Sequence, residues 1–298
     1  MISTYTKSRL NSVLSCIKSL KEQSLKPDEM LVVLDPIPDL VDFYRSRLPS
    51  QTKIVVSKLC GLSSARNAGA RAGSGDIIAF IDDDAVAGEH WLENLVRGYE
   101  EPNVAGVGGS IRPNWKNRPP RWFPEELFWI IGCTYKGMPT MKCDVRNPIG
   151  CNMSFVKNIF GKVGYFRPDV GRFGKMLLAG EEAEFSIRIQ NMIPESRIVY
   201  EPSAVVFHDV AKNRASLGYV WKRSFYEGVS KALIQRLWHG HGSRTQLSTE
   251  QSYLKYLLAK AIPSRIARIY DPGVLSQIII LFFSMSAVYA GYLIGRLR

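Results

Sequence analysis

The chain has 298 residues, 46% of them hydrophobic and 22% charged, which sets disorder aside and leaves room for one large domain with an appendage. The formal net charge of +12 is uneven: residues 212–298 carry 13 basic and 3 acidic side chains, whereas residues 1–211 carry 26 and 24. A basic excess confined to the C-terminal third argues against a nucleic-acid partner and for an anionic membrane surface.

From the N-terminus, Leu10–Gln23 has helical spacing of its apolar residues, and Met30–Leu34 is a short buried-strand run. Pro38–Leu48 then reads as a helix, Lys53–Ser57 as a strand, Ser63–Arg71 as a helix, Asp76–Ile81 as a strand and Glu89–Tyr99 as a helix. Strict alternation of this kind predicts a parallel, doubly wound α/β layer. After Tyr99 the Gly- and Pro-rich runs Val104–Ile111 and RPNWKNRPPRWFPEE predict a long loop or lid carrying Trp115, Trp122, Phe123 and Trp129. Those aromatics either stack on a sugar ring or pack the excursion itself.

Further on, Asp144–Phe155 holds a strand, Gly180–Gln190 a helix, and Arg197–Phe207 a strand pair interrupted by Pro202. Ala215–Trp238 and Gln251–Ile269 read as helices with basic faces, the second suited to lie on a bilayer until Pro263 ends or kinks it. Val274–Gly295 is free of charge for 22 residues, about the length that crosses a hydrocarbon core at 1.5 Å per residue. The competing reading is a buried core helix, with Gln277, Ser284 and Ser286 on its side. Lys255, Lys260, Arg265 and Arg268 precede the segment and only Arg296 and Arg298 follow it, so the positive-inside bias puts the N-terminal domain in the cytoplasm. Met1–Tyr5 has neither the basic nor the apolar region of a signal peptide. The expected organisation is therefore a catalytic domain over 1–211, basic amphipathic helices over 212–273 and a single membrane span over 274–295.

Four segments carry chemistry. IIAFIDDDA ends an apolar strand in Asp82, Asp83 and Asp84, an arrangement that repels itself without a counter-ion. Alternate residues of an extended chain point the same way, so Asp82 and Asp84 converge while Asp83 faces elsewhere. Hard oxygen ligands suit Mg²⁺ or Mn²⁺ bound with substrate phosphates. In GLSSARNAGARAGSGD, Ser63 or Ser64 caps a short helix that Arg66 and Asn67 enter, a natural neighbour for a diphosphate. In LLAGEEAEFSIRI, Glu181, Glu182 and Glu184 open a helix; they are either dipole complements or include a general base. His208 ends an apolar run as a structural residue, a metal ligand or a diphosphate donor. The five cysteines, without C-x-x-C pairs, read as small buried hydrophobes in a reducing compartment.

Taken in order, ISTYTKSRL, SLKEQ, EMLVVLD, Ala65–Gly69, Phe80–Asp84, GCNMSF and Glu181–Glu182 resemble the family 2 inverting nucleotide-sugar glycosyltransferases of the GT-A fold, over about residues 2–210. The resemblance implies a metal-dependent hexosyltransferase-type enzyme. On it, Thr4, Tyr5, Asp35, Arg66, Asp82 and Asp83 belong to the nucleotide-sugar site, Asp35 at the base, Asp82 at the nucleoside and Arg66 at the diphosphate. Asp84, Asp82 and His208 would hold Mg²⁺ or Mn²⁺, and Glu182 or Glu181 would be the base. This chain departs from the pattern in a shorter first strand and in Glu where the family's base is Asp. The C-terminal third is similar to that of membrane-associated enzymes that assemble lipid-linked, dolichyl-phosphate glycans for protein glycosylation. That likeness implies a UDP-sugar type of donor, a lipid-linked sugar acceptor and a cell-membrane location. The alternatives are a nucleotidyltransferase, which TYTKSRL with no glycine fits poorly, and a noncatalytic membrane scaffold.

Overall fold

The computed structural model describes residues 1–116, 118–171, 178–238 and 247–297; Asn117 of the expected loop and Arg298 of the C-terminal flank lie outside them. Two compact units form, one from Met1–Arg112, Thr140–Gly174 and Glu181–His208, the other from Pro113–Pro139, Lys175–Gly180 and Asp209–Arg298.

The first unit is built on a mixed sheet, as the glycosyltransferase resemblance implies. Its parallel half consists of β1 (Ile2–Thr4), β2 (Leu31–Leu34), β3 (Lys53–Val56) and β4 (Ile77–Asp82), with Ile2 beside both Val32 and Ile81. The helices between them are α1 (Leu10–Lys21), α2 (Pro38–Arg45) and α3 (Leu62–Ala72). α1 buries Val13, Cys16, Ile17 and Leu20, a three- and four-residue spacing that turns one face to the core. The remaining strands are β5 (Ala85–Ala87), β6 (Val104–Trp115), β7 (Cys143–Asp144), β8 (Asn152–Val156) and β9 (Arg197–Val210). The strand order is β3-β2-β1-β4-β8-β6-β9-β5, with β7 on β9. β8 is antiparallel to β4, Phe80 opposite Met153 and Ile81 opposite Asn152.

Over this sheet pack α4 (Trp91–Arg97), α5 (Lys157–Val163) and α6 (Glu181–Met192). Phe80, Phe155, Phe160, Phe166 and Phe185 form one buried cluster, with Phe166 and Phe185 centroids 4.6 Å apart. Each such ring contributes about 1.5–3 kcal/mol by leaving water.

Three sequence expectations about the first unit are corrected. Val104–Ile111 is not loop but the buried part of β6: a Cβ at Gly109 would lie 2.0 Å from the Ala204 carbonyl oxygen, and one at Gly106 2.7 Å from the Phe155 ring. These glycines serve close packing rather than turning. Arg197–Phe207 is not a strand pair but part of one continuous strand, β9. Pro202 is tolerated because it falls between the stretch paired with β7, at Val199 and Tyr200, and the stretch paired with β5, at Val206–His208. Neither Ser63 nor Ser64 caps α3; the cap is Gly61, at φ 115°, a backbone angle that glycine reaches without strain.

In the second unit, Trp115, Trp122 and Phe123 pack with Phe128, and Trp129 donates its indole N–H to Tyr253 at 3.3 Å. Three of the four expected lid aromatics therefore pack together with Phe128, and the fourth, Trp129, meets Tyr253. The helices here are α7 (Leu217–Leu237), α8 (Ser248–Tyr256), α9 (Pro263–Ile266) and α10 (Pro272–Leu297). The helix expected over Gln251–Ile269 is interrupted just before Pro263, where the sequence predicts an end or kink: a π-helical turn, Leu257–Ala261, separates α8 from α9, which Pro263 opens. Arg265 grips the buried Glu126 with two bonds of 3.0 and 2.7 Å. Among the described residues α10 is the one helix long and apolar enough to cross a membrane.

Candidate active site

Parallel strands end on one edge of their sheet, and that edge is where an α/β fold binds ligands. Thr4 closes β1 and Tyr5 follows it, Asp35 follows β2, and Asp82 closes β4. Thr4 and Asp35 are buried, while Tyr5 is 61% exposed. Asp35 accepts the Gly61 N–H at 3.3 Å, and burial raises its pKa against that bond.

The three aspartates separate as the strand period requires. Asp83 turns into the protein, where Arg9 Nη1 meets it at 2.5 Å; burial, opposed by Arg9, pushes its carboxyl up to about 6. Arg9 also reaches Asp84, at 2.7 Å. Burial works against the Arg9 charge, but Asp84 and Asp83 outweigh it and raise its pKa. Asp84 Oδ1 lies 3.2 Å from His208 Nε2. Asp82, His208 and Cys151 bring their ligand atoms within 4.8 Å of one another.

Cys151 arrives there through the antiparallel register. Because Ile81 faces Asn152, Asp82 and Cys151 are the next positions along the two segments, Cys151 in the turn that enters β8. Asn152 is fully buried and holds this corner: it accepts from Trp91 Nε1 at 2.8 Å and donates to the carbonyls of Ser110 at 2.9 Å and Ala204 at 2.8 Å. His208 comes from β9, opposite Ala85. A carboxylate, an imidazole and a thiol in one cluster, with Asp84 beside the imidazole, fit a divalent cation. Ligands at right angles about 2.1 Å from one ion are about 3.0 Å apart, close to the Asp84–His208 distance.

Beside this cluster sits Arg66, 3% exposed on α3. Its guanidinium donates to Glu181 at 2.7 Å and to the Gly150 carbonyl at 3.0 Å, and lies 3.6 Å from Asp82. The adjacent Asn67 clamps Phe166 with two bonds, 2.8 Å to its carbonyl and 2.9 Å from its N–H. Glu181 is buried in its pair with Arg66. Glu184 is buried as well, chelated by Arg188 at 3.0 and 2.6 Å. Two of the three acids are thus held in buried pairs with arginines. Glu182, in the first turn of α6, is half-buried.

The structure thus brings Asp82, Asp84, His208, Arg66 and Glu181 together, and turns Asp83 toward Arg9. Sequence reasoning missed Arg9 and Cys151. Arg9 was legible as a basic residue in TYTKSRL; nothing local marks Cys151, whose place follows from strand pairing.

The Glycosyl transferase family 2 profile matches residues 1–164. The chain is 32% identical, over all of its length and 95% of the relative, to glucosyl-dolichyl phosphate glucuronosyltransferase of Haloferax volcanii. It is 28% identical to the succinoglycan biosynthesis protein ExoM of Rhizobium meliloti, over 67% of this chain and 62% of that one. It is 27% identical to a pre-mycofactocin glycosyltransferase of Mycobacterium tuberculosis, over 59% and 35%.

Proposed function

Because the chain belongs to glycosyl transferase family 2, we propose that it moves a sugar, with inversion, from a uridine-diphosphate sugar to a hydroxyl of a dolichyl-phosphate-linked sugar. The observation that carries this reading is the Asp82–Cys151–His208 cluster with buried Arg66 beside it at the carboxyl ends of the parallel strands. Such a site collects positive charge where a diphosphate leaves. The acceptor class is supported by the full-length similarity to the relative named glucosyl-dolichyl phosphate glucuronosyltransferase.

Asp82, Cys151, His208 and Asp84 would hold a divalent cation, which supplies charge against the leaving diphosphate when bound. Of Mg²⁺ and Mn²⁺, nitrogen and sulfur donors favour Mn²⁺. Asp35 and the exposed Tyr5 flank the nucleoside end of the site, Asp35 through hydrogen bonds and Tyr5 by stacking. Arg66 orients the diphosphate and, through Glu181, is itself oriented. Glu182 takes the proton of the acceptor hydroxyl as its oxygen attacks the anomeric carbon from the face opposite the leaving group. A single displacement needs this one base and no enzyme nucleophile.

Attachment to the membrane through α10 and the basic segment before it, with the catalytic unit on the cytoplasmic side, brings a lipid-borne acceptor within reach. The test is a panel of uridine-diphosphate sugars offered with polyprenyl-phosphate-linked glucose and Mn²⁺, read as labelled lipid and released nucleoside diphosphate. Transfer to the lipid supports the proposal; release without labelled lipid removes the acceptor assignment, and no release removes the donor.

A further inference from the structure

We infer that α10 does not cross the bilayer: it lies in one leaflet, clamped to α7, and both of its ends stay on the side of the catalytic unit. The inference rests on the membrane attachment proposed above and adds its geometry.

α10 does not stand alone. A Cβ at Gly228 of α7 would lie 1.9 Å from the Val288 carbonyl oxygen, and one at Gly291 of α10 would lie 1.9 Å from that of Phe225. The two backbones are therefore in direct contact. Small residues recur every fourth position on both helices, Ser224, Gly228 and Ala232 on one, Ala287, Gly291 and Gly295 on the other, the pattern that lets helices approach closely. Ser224 and Ser284 hydroxyls share a hydrogen bond of 2.8 Å at the buried seam. The contacts 224 to 284, 228 to 288 and 232 to 295 rise together, so the helices run parallel.

Whatever surrounds α10 at a given height therefore surrounds α7 too. α7 carries Lys222, Arg223, Glu227, Lys231 and Arg236. Arg223 and Lys231 both pair with Glu227, and Lys231 also reaches Glu250 of α8 at 2.8 Å. Lys222 is exposed. Its neighbour Trp221 packs on Phe283, centroids 5.0 Å apart with the rings tilted at 47°, next to the midpoint of the helix Pro272–Leu297. A crossing α10 would hold the Lys222 ammonium at the centre of the hydrocarbon, where a lipid-facing charge is costly.

Lying in the interface removes that conflict. The exposed residues of α10 include Leu275, Ile279, Phe282, Tyr289 and Leu293, spaced in threes and fours and their multiples along one stripe. α10 is itself free of charge from Val274 to Gly295, and an interfacial placement lets this stripe meet the acyl chains while the exposed Lys222 and Arg236 of α7 reach water. Before it, exposed Leu254, Leu258 and Ile266 alternate with exposed Lys255, Lys260 and Arg268. That mixture fits the headgroups of an anionic leaflet.

The experiment labels the full chain in sealed membrane vesicles of known orientation with a membrane-impermeant maleimide. Cys60, exposed in the catalytic unit, is the reference, and Leu297→Cys, at a position 87% exposed, reports the far end of α10; Arg296→Cys is the second probe. Both sites reacting from the same face is the expected result. Reaction of the probe only from the opposite face, or only after permeabilisation, overturns the inference. Flotation with phosphatidylglycerol-containing liposomes is run first: a chain that stays at the bottom of the gradient removes the attachment reading itself, and the inference with it.

Discussion

Arg66 Nη1 lies 2.7 Å from Glu181 Oε1, and the two side chains are 3% and 5% exposed. Removing either partner would leave the other's charge buried and uncompensated, so the pair fixes the Arg66 guanidinium in place. Glu181 accordingly takes a positioning role through Arg66 in the proposed function, and Glu182 stays the proposed base.

The two substitutions should then fail differently. Glu182→Gln should keep donor affinity, measured by titration calorimetry with a nucleoside diphosphate, while kcat falls by about 10²–10⁴. Glu181→Gln breaks a buried pair and should destabilise the fold by about 3–5 kcal/mol, seen as a lower denaturation midpoint. Wild-type turnover in Glu182→Gln would remove it as the base.

The proposed cation site predicts metal dependence. Chelation should abolish transfer, and Mn²⁺ should restore it at lower concentration than Mg²⁺. His208→Ala should raise the Mn²⁺ needed for half-maximal activity at least about tenfold, and Cys151→Ser should narrow the preference for Mn²⁺ over Mg²⁺. Equal metal curves for all three proteins would show that these side chains are not ligands.

Glu227 supplies a pH dependence of stability. Burial would raise its pKa, but Lys231 and Arg223 overcome that and lower it to about 2; Glu250 shares Lys231 from α8. A depressed carboxylate stabilises the folded state above its unfolded pKa of about 4.5, and the contribution is lost as pH falls from there toward 2. Denaturation midpoints should drop through that window, a change worth about 3 kcal/mol, and Glu227→Gln should flatten the curve while lowering stability at pH 7.

Gly109→Ala tests the packing account of β6. Its Cβ would lie 2.0 Å from a backbone oxygen of Ala204, which also accepts from Asn152. Relief requires β6 and β9 to separate, so the substitution should destabilise the protein by about 1–3 kcal/mol or more, measured by chemical denaturation. An unchanged midpoint would contradict so close an approach of the two strands.

The parallel half of the sheet was legible because its signals are local. Apolar runs such as Leu31–Leu34 alternate with helices whose faces show in short windows, and the acidic triplet sits where β4 ends. β6 was not legible, since Gly106, Gly108 and Gly109 carry the signature of a loop while serving contact with β8 and β9. Asp82, Asp84 and His208 were found from residue type and position, but Cys151 depends on the pairing of Ile81 with Asn152, and Arg66 meets Glu181 across 115 positions of sequence. Such contacts are set by the assembled sheet rather than by any window of the chain.

An inverting transfer with Glu182 as the base is tested most directly by the anomeric configuration of the transferred sugar, read by nuclear magnetic resonance on product made from a uridine-diphosphate α-sugar. Single displacement predicts a β-linked product and release of uridine diphosphate; an α-linked product would contradict it.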